Sequence, residues 1–215
     1  MMRNKIKYFI FSMLLMFPVF VFAAGGVTVS SNSISVAPGG NGSFNITATN
    51  AAGKVTIQSN NTGIATVNKS SEWVENGTLS VGVTGVNTGN TTITVVVDAA
   101  TFDNEAVKQT YTINVRVLSN NNNLSGLSIS GGTLSPGFSA GVTNYSATID
   151  AASVSIYATA ADSKASVSGV GVKNLNYGNN AFNVVVTSEA GSTKTYTITI
   201  NRPDTRSTNN NLKSL

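Results

Sequence analysis

The sequence predicts an all-β fold: two tandem antiparallel β-sandwiches following a cleaved signal peptide. Three observations predict it. Apolar residues alternate with Thr, Ser and Asn through much of the chain, which is the period of a half-buried strand. Turn signals rich in Gly and Asn separate these segments at close spacing, as antiparallel sandwiches require. Beyond Ala24 no segment carries a convincing helical period.

Composition excludes more than it supplies. The 215 residues include 13 Lys+Arg, 9 Asp+Glu, no His and no Cys, for a formal net charge of +4. Without Cys there is no disulfide, thiolate zinc site, catalytic thiol or lipidated Cys anchor. Without His there is no His-based triad and no imidazole general base. The positive charge is local: Arg3, Lys5 and Lys7 open the chain, and without them 10 basic residues face 9 acidic ones. A nucleic-acid partner therefore gains no support from charge.

The first element is a targeting segment over residues 1–23. Met1 to Lys7 is short and basic, Tyr8 to Phe22 is apolar apart from Ser12 and Pro18, and small residues follow at Ala23 and Ala24. That layout is a secretory signal, with cleavage expected after Ala23. Its apolar run falls short of the roughly 20 residues that span a bilayer. Export without any Cys suits a bacterial surface protein that relies on packing rather than oxidation.

Strand faces follow in chain order. Tyr111, Ile113, Val115 and Val117 share one side of a strand, with Thr110, Thr112, Asn114 and Arg116 on the other. Tyr145, Ala147 and Ile149 form another face, as do Val154, Ile156, Ala158 and Ala160, then Phe182, Val184 and Val186, then Tyr196, Ile198 and Ile200. Turns are expected at Pro38-Gly39-Gly40, Ala52-Gly53, Asn76-Gly77, Asn87-Thr88-Gly89, Gly131-Gly132, Tyr177-Gly178-Asn179 and Ala190-Gly191. Phe44, Tyr111, Tyr145, Phe182 and Tyr196 are the expected aromatic plugs of the cores.

The Asn run from Asn120 to Asn123 divides the chain. A polar cluster of that kind marks a linker, placed at 119–123, between one sandwich at 24–118 and a second at 124–203. Asn121-Asn122-Asn123-Leu124-Ser125-Gly126-Leu127 reappears as Asn209-Asn210-Asn211-Leu212-Lys213-Ser214-Leu215. The paired leucines at matching spacing make residues 204–215 a linker and the start of a further repeat. A lone first strand has no sheet to join, so the sequence is expected to be a truncated chain.

Two resemblances rest on these residues. Ser33-Ile34-Ser35-Val36 with Pro38-Gly39-Gly40, Ser59-Asn60-Asn61-Thr62-Gly63-Ile64-Ala65-Thr66-Val67, and Val83-Thr84-Gly85 through Thr94-Val95 resemble the group 2 bacterial Ig-like domain. Thr56-Ile57-Gln58 stands where that family usually carries a Trp, and Ser70 to Asn76, with Trp73, departs from its pattern. Leu124 to Leu127, Leu134-Ser135-Pro136-Gly137-Phe138, Asn144-Tyr145, Ala165 to Gly171, Leu175, Gly178-Asn179-Asn180, and Thr193 to Ile198 through Arg202 resemble the bacterial cadherin-like β-sandwich domain. The resemblances imply two tandem antiparallel Ig-like β-sandwiches in a secreted, extracellular protein of the bacterial cell surface. They also imply spacer or adhesive modules, monomeric within a longer chain, with no membrane contact by the mature modules.

No catalytic, cofactor-binding or metal-ligating residue is assigned. Calcium bridging needs several carboxylates converging on one ion. The densest acidic group, Asp98, Asp103 and Glu105, reads as a solvated loop before the last strand of the first sandwich. No nucleophile elbow or P-loop is present, and the chain is not expected to be an enzyme. Trp73, in a polar stretch, is the one candidate ligand contact; as a large aromatic it is expected to cover the end of the core. Displayed instead, it would meet a cell-surface glycan or a host or neighbour surface protein. The Asn-x-Ser/Thr triplets, such as Asn45-Ile46-Thr47, read as by-products of an Asn/Thr-rich composition.

Three functions fit. The first is a non-catalytic secreted or cell-surface protein whose tandem modules act as a spacer or adhesive stalk. The second is a carbohydrate- or protein-binding module using Trp73 and adjacent loops. The third is the accessory N-terminal region of a larger secreted hydrolase. The first is the reading the sequence favours.

Overall fold

A computed structural model describes residues 25–205. The signal segment and the second Asn-Asn-Asn-Leu copy lie outside the described residues. Everything regular in the described part is strand, as the alternation predicts.

Nine strands surround the first core: β1 Gly26–Val29, β2 Ser33–Val36, β3 Asn41–Thr49, β4 Ala51–Ser59, β5 Ala65–Val67, β6 Ser71–Glu75, β7 Thr78–Gly85, β8 Gly89–Thr101 and β9 Ala106–Val117. They form a four-stranded sheet in the order β1-β3-β7-β5 and a five-stranded sheet in the order β2-β9-β8-β4-β6. Phe44 and Ile46 of β3 and Val81 and Val83 of β7 face Val55 and Ile57 of β4, Ile93 and Val95 of β8, and Ile113 and Val115 of β9. Tyr111 packs at the margin of this core and donates its hydroxyl to the Val27 carbonyl.

Seven strands build the second: β10 Leu124–Ile129, β11 Asn144–Thr148, β12 Ser153–Ala160, β13 Ser166–Ser168, β14 Gly171–Asn174, β15 Gly178–Thr187 and β16 Thr193–Arg202. The sheet β10-β12-β14 packs on the sheet β11-β16-β15-β13. Leu124, Leu127, Val154 and Ile156 on one side meet Tyr145, Val184, Val186, Tyr196, Ile198 and Ile200 on the other. Phe182 and Phe138 are half-buried at the margin, and the Phe138 ring stacks on Tyr145 with centroids 6.4 Å apart.

Most pairings are antiparallel hairpin contacts, but two are not. β2 pairs in parallel with β9, and β11 in parallel with β16. A purely antiparallel arrangement is thus corrected at one edge of each fold. In both cases a short strand from early in the module is laid beside the module's last strand, which covers an otherwise open edge.

The turns mostly fall where Gly and Asn place them. Gly40 N–H donates to the Ala37 carbonyl at 2.9 Å, with Pro38 and Gly39 between and Gly39 at φ +74°. That is the type II pattern, with Pro at its second position and Gly at its third. Ala52-Gly53 is the exception: it lies inside β4, not in a turn. Gly53 is there for close approach, because a Cβ at that position would come within 2.2 Å of the Ala99 Cα on β8. Asp98 likewise belongs to β8 instead of a loop.

Candidate functional site

Two places on the described residues concentrate side chains that the cores do not consume: a cross-strand row around Trp73 and a cluster where the two sandwiches meet. The row comes from strand parity. In β6 the inward positions are taken by Glu72 and Val74, so Ser71, Trp73 and Glu75 point away from the core. Trp73 is 66% exposed, which overturns the expectation that it covers the core. The reason is register. Asn76 N–H bonds to the Ala51 carbonyl at 3.0 Å and sets Val74 opposite Gly53 and Trp73 opposite Lys54. A shift of one residue would exchange the faces.

Lys54 is in turn opposite Asp98, and Asp98 opposite Lys108, so four strands present Trp73, Lys54, Asp98 and Lys108 in one line. Lys108 Nζ lies 3.5 Å from Asp98 Oδ1, with both side chains largely in solvent. An exposed pair of this kind adds little stability. The line therefore offers an apolar plate beside a donor, an acceptor and a second donor. Asp103 and Glu105 stand in the β8–β9 turn. Among the described residues no three His, Cys, Asp or Glu gather closely enough to hold a metal ion.

The second cluster surrounds the connection between sandwiches. Glu189, in the β15–β16 turn, accepts the Ser119 N–H at Oε2 (3.0 Å) and meets the Arg116 guanidinium of β9 and Lys164 Nζ (3.5 Å) at Oε1. The Ser119 carbonyl accepts the Ala190 N–H at 2.8 Å. Ser119 is only 7% exposed, and its polar groups are engaged by the second sandwich and by Asn121, whose N–H it accepts at 3.2 Å. The Ser119 N–H holds the Glu189 carboxyl below the ordinary carboxylate range; partial burial opposes this, and the Arg116 and Lys164 charges assist it. Asp162 is held low by the Ser119 hydroxyl and then by the Lys164 N–H.

The Asn run is integrated in the same way. The Asn120 carbonyl accepts from Ser192 Oγ (3.2 Å), and Asn122 Nδ2 donates to that hydroxyl (3.3 Å). Asn123 Oδ1 accepts a hydrogen bond from Lys194 Nζ (2.9 Å), and its carbonyl accepts the Ala161 N–H (2.8 Å). Leu124 N–H then donates to the Tyr196 hydroxyl (3.1 Å). Sequence reasoning singled out the asparagines but missed Arg116, Ser119, Asp162, Lys164 and Glu189. They are scattered over seventy-odd positions, and only the folded topology brings them together.

Comparison with known proteins adds the following. No curated protein matches the chain. Among solved structures, WR4, a C. elegans MSP family member, is 15% identical over 44% of this chain and 99% of its own, with a TM-score of 0.36. Domains 4 and 5 of the S-layer protein SbsC are 27% identical over 43% of this chain and 51% of their own, at 0.34. Domains 5–6 of SbsC are 17% identical over 82% of this chain and 96% of theirs, at 0.33. The family model of the cadherin-like β-sandwich domain matches residues 124–203, the span of the second sandwich.

Proposed function

We propose that the chain is a non-catalytic part of an exported bacterial cell-surface protein, with its sandwiches serving as a spacer or adhesive stalk. The first sandwich is read as a group 2 bacterial Ig-like domain preceding the cadherin-like one. The observation that carries this reading is the continuity of the main chain between the cores: Leu118 is bonded to the first sandwich and Ser119 to the second, with no free residue between them. A segment whose hydrogen bonds go into joining modules, with titratable groups gathered at the joint, suits mechanical presentation better than chemistry. Export is tested by producing the chain with residues 1–23 in a bacterium and labelling intact cells with antibody against the sandwiches. Surface labelling of a product shortened at Ala23 is expected; retention inside the cell with the N-terminus intact would sink the proposal.

A second reading rests on the display of Trp73. The plate of Trp73 beside Lys54, Asp98 and Lys108 is suited to a surface glycan, stacking one ring face while charged groups meet its hydroxyls. Trp73→Ala is expected to abolish retention on a glycan array while changing stability by no more than about 0.5 kcal/mol, because little is packed there. The chain has one Trp, so its fluorescence reports the site directly: emission like that of indole in water, readily quenched by acrylamide, is the expected result.

A further inference from the structure

We propose that the two sandwiches are locked as one stiff unit, with a hinge no longer than the Leu118–Ser119 peptide and Glu189 as its lock. The argument is an account of where each connecting residue is anchored. Leu118 belongs to the first sandwich: its N–H donates to the Val36 carbonyl at 2.8 Å, and its carbonyl accepts from Thr88 Oγ1 at 3.3 Å. Ser119 belongs to the second: its N–H goes to Glu189 and its carbonyl takes the Ala190 N–H. No residue lies between these anchors. The Asn run, which by composition is a linker, lies wholly on the second sandwich's side of the joint.

A peptide bond is itself planar, so the remaining freedom is the ψ of Leu118 and the φ of Ser119. Rotation there would swing β9 against the β15–β16 turn. Glu189 opposes it because one carboxylate holds both sides at once, the Ser119 N–H through Oε2 and the Arg116 guanidinium through Oε1. Arg116 is on β9 within the first sandwich, and Glu189 is on the second. Lys164, also of the second sandwich, meets the same Oε1 at 3.5 Å. A charged acceptor shared among three donors gives directional, charge-assisted bonds. The same residues make a stalk that transmits orientation instead of a string of independent beads.

The chain lacks Cys, so two introduced thiols can be spin-labelled cleanly. Thr110→Cys on β9 and Val172→Cys on β14, where Val172 is 70% exposed, put one label on each sandwich. Distances are read by pulsed electron resonance at neutral pH on residues 25–215, which include all the described residues. The parent is expected to give one narrow distribution. Glu189→Ala is expected to widen it about twofold or more, as a connection released from its anchors samples a broader span. Arg116→Ala, which leaves the Ser119 bond, is expected to widen it less. Circular dichroism and a melt confirm that each variant is folded; should Glu189→Ala fail to fold, Arg116→Ala carries the test. A broad parent distribution overturns the proposal, and so does an unchanged width in the folded variants. The readout needs neither display on a cell nor any ligand, so it stands or falls apart from the stalk function.

Discussion

Gly53 shows how one residue sets the approach of two neighbouring strands. It sits in the middle of β4, where β6 lies on one side and β8 on the other. A Cβ there would come within 2.2 Å of the Ala99 Cα and 2.5 Å of the Asp98 carbonyl oxygen, both main-chain atoms that cannot turn aside. Gly53→Ala is therefore expected to destabilise the first sandwich by about 1–3 kcal/mol or more, the cost of forcing backbone apart in a packed interior. Chemical denaturation of the variant and parent measures it. An effect below half a kilocalorie would mean that the strands are farther apart in solution. Sequence reading took Ala52-Gly53 for a turn because glycine in a strand and glycine in a turn have the same composition signal. What separates them is the neighbour across the sheet, which no local window contains.

At the scale of the element, the strands themselves were legible and their partners were not. Alternation marks Tyr111 to Val117 and Tyr196 to Ile200 unambiguously, because three or more apolar residues in one parity leave no choice of face. Ser71–Glu75 is different: with Trp73 in one parity and Val74 in the other, size favours burying the Trp, whereas the Asn76–Ala51 bond fixes the opposite. The parallel pairings were equally hidden, since they depend on which distant strand comes to lie alongside. Tyr196 ties such elements together. Its hydroxyl accepts the Leu124 N–H and donates to the Ala140 carbonyl, so β16, the start of β10 and the loop before β11 share one phenol. Tyr196→Phe keeps the ring in the core but leaves a buried N–H without its acceptor. The expected loss is about 1–3 kcal/mol, read in the unfolding of the second sandwich. Hydrogen exchange should quicken most at the Leu124 amide, and an unaltered rate there would contradict the assignment.

The whole molecule is two cores and one joint, and acid acts on the joint. Glu189 and Asp162 are both held below the ordinary carboxylate range, so the folded state binds protons less readily than the unfolded one. Their contribution is complete above the unfolded value of about 4 and is lost as pH falls through the lower folded values. The basic groups facing them are Arg116 from β9 and Lys164 from the β12–β13 loop. The label distances are thus expected to broaden as pH falls from neutral through the lowered carboxylate range, and to respond less in Glu189→Gln, where position 189 has no charge left to lose.

The joint also decides where the second sandwich begins. By composition, residues 119–123 are spacer that either neighbour could lose. By their bonds they are part of the second sandwich: Ser119 meets Glu189 and Ala190, Asn120 meets Ser192, and Asn123 meets Lys194 and Ala161. A fragment spanning 118–205 is therefore expected to be more stable than one spanning 123–205, which keeps a residue ahead of buried Leu124 but loses the Ser119 and Asn120 bonds. The difference should be about 1–3 kcal/mol, the usual cost of stripping partners from hydrogen-bonding groups. For the first sandwich, ending the chain at residue 118 instead of 123 should change stability by no more than about 0.5 kcal/mol, because its strand pairings along β9 end at Val117. Paired urea titrations decide between the two assignments. Equal stability of the two second-sandwich fragments would make the Asn run a true spacer, and the hinge would then have to be sought along its length.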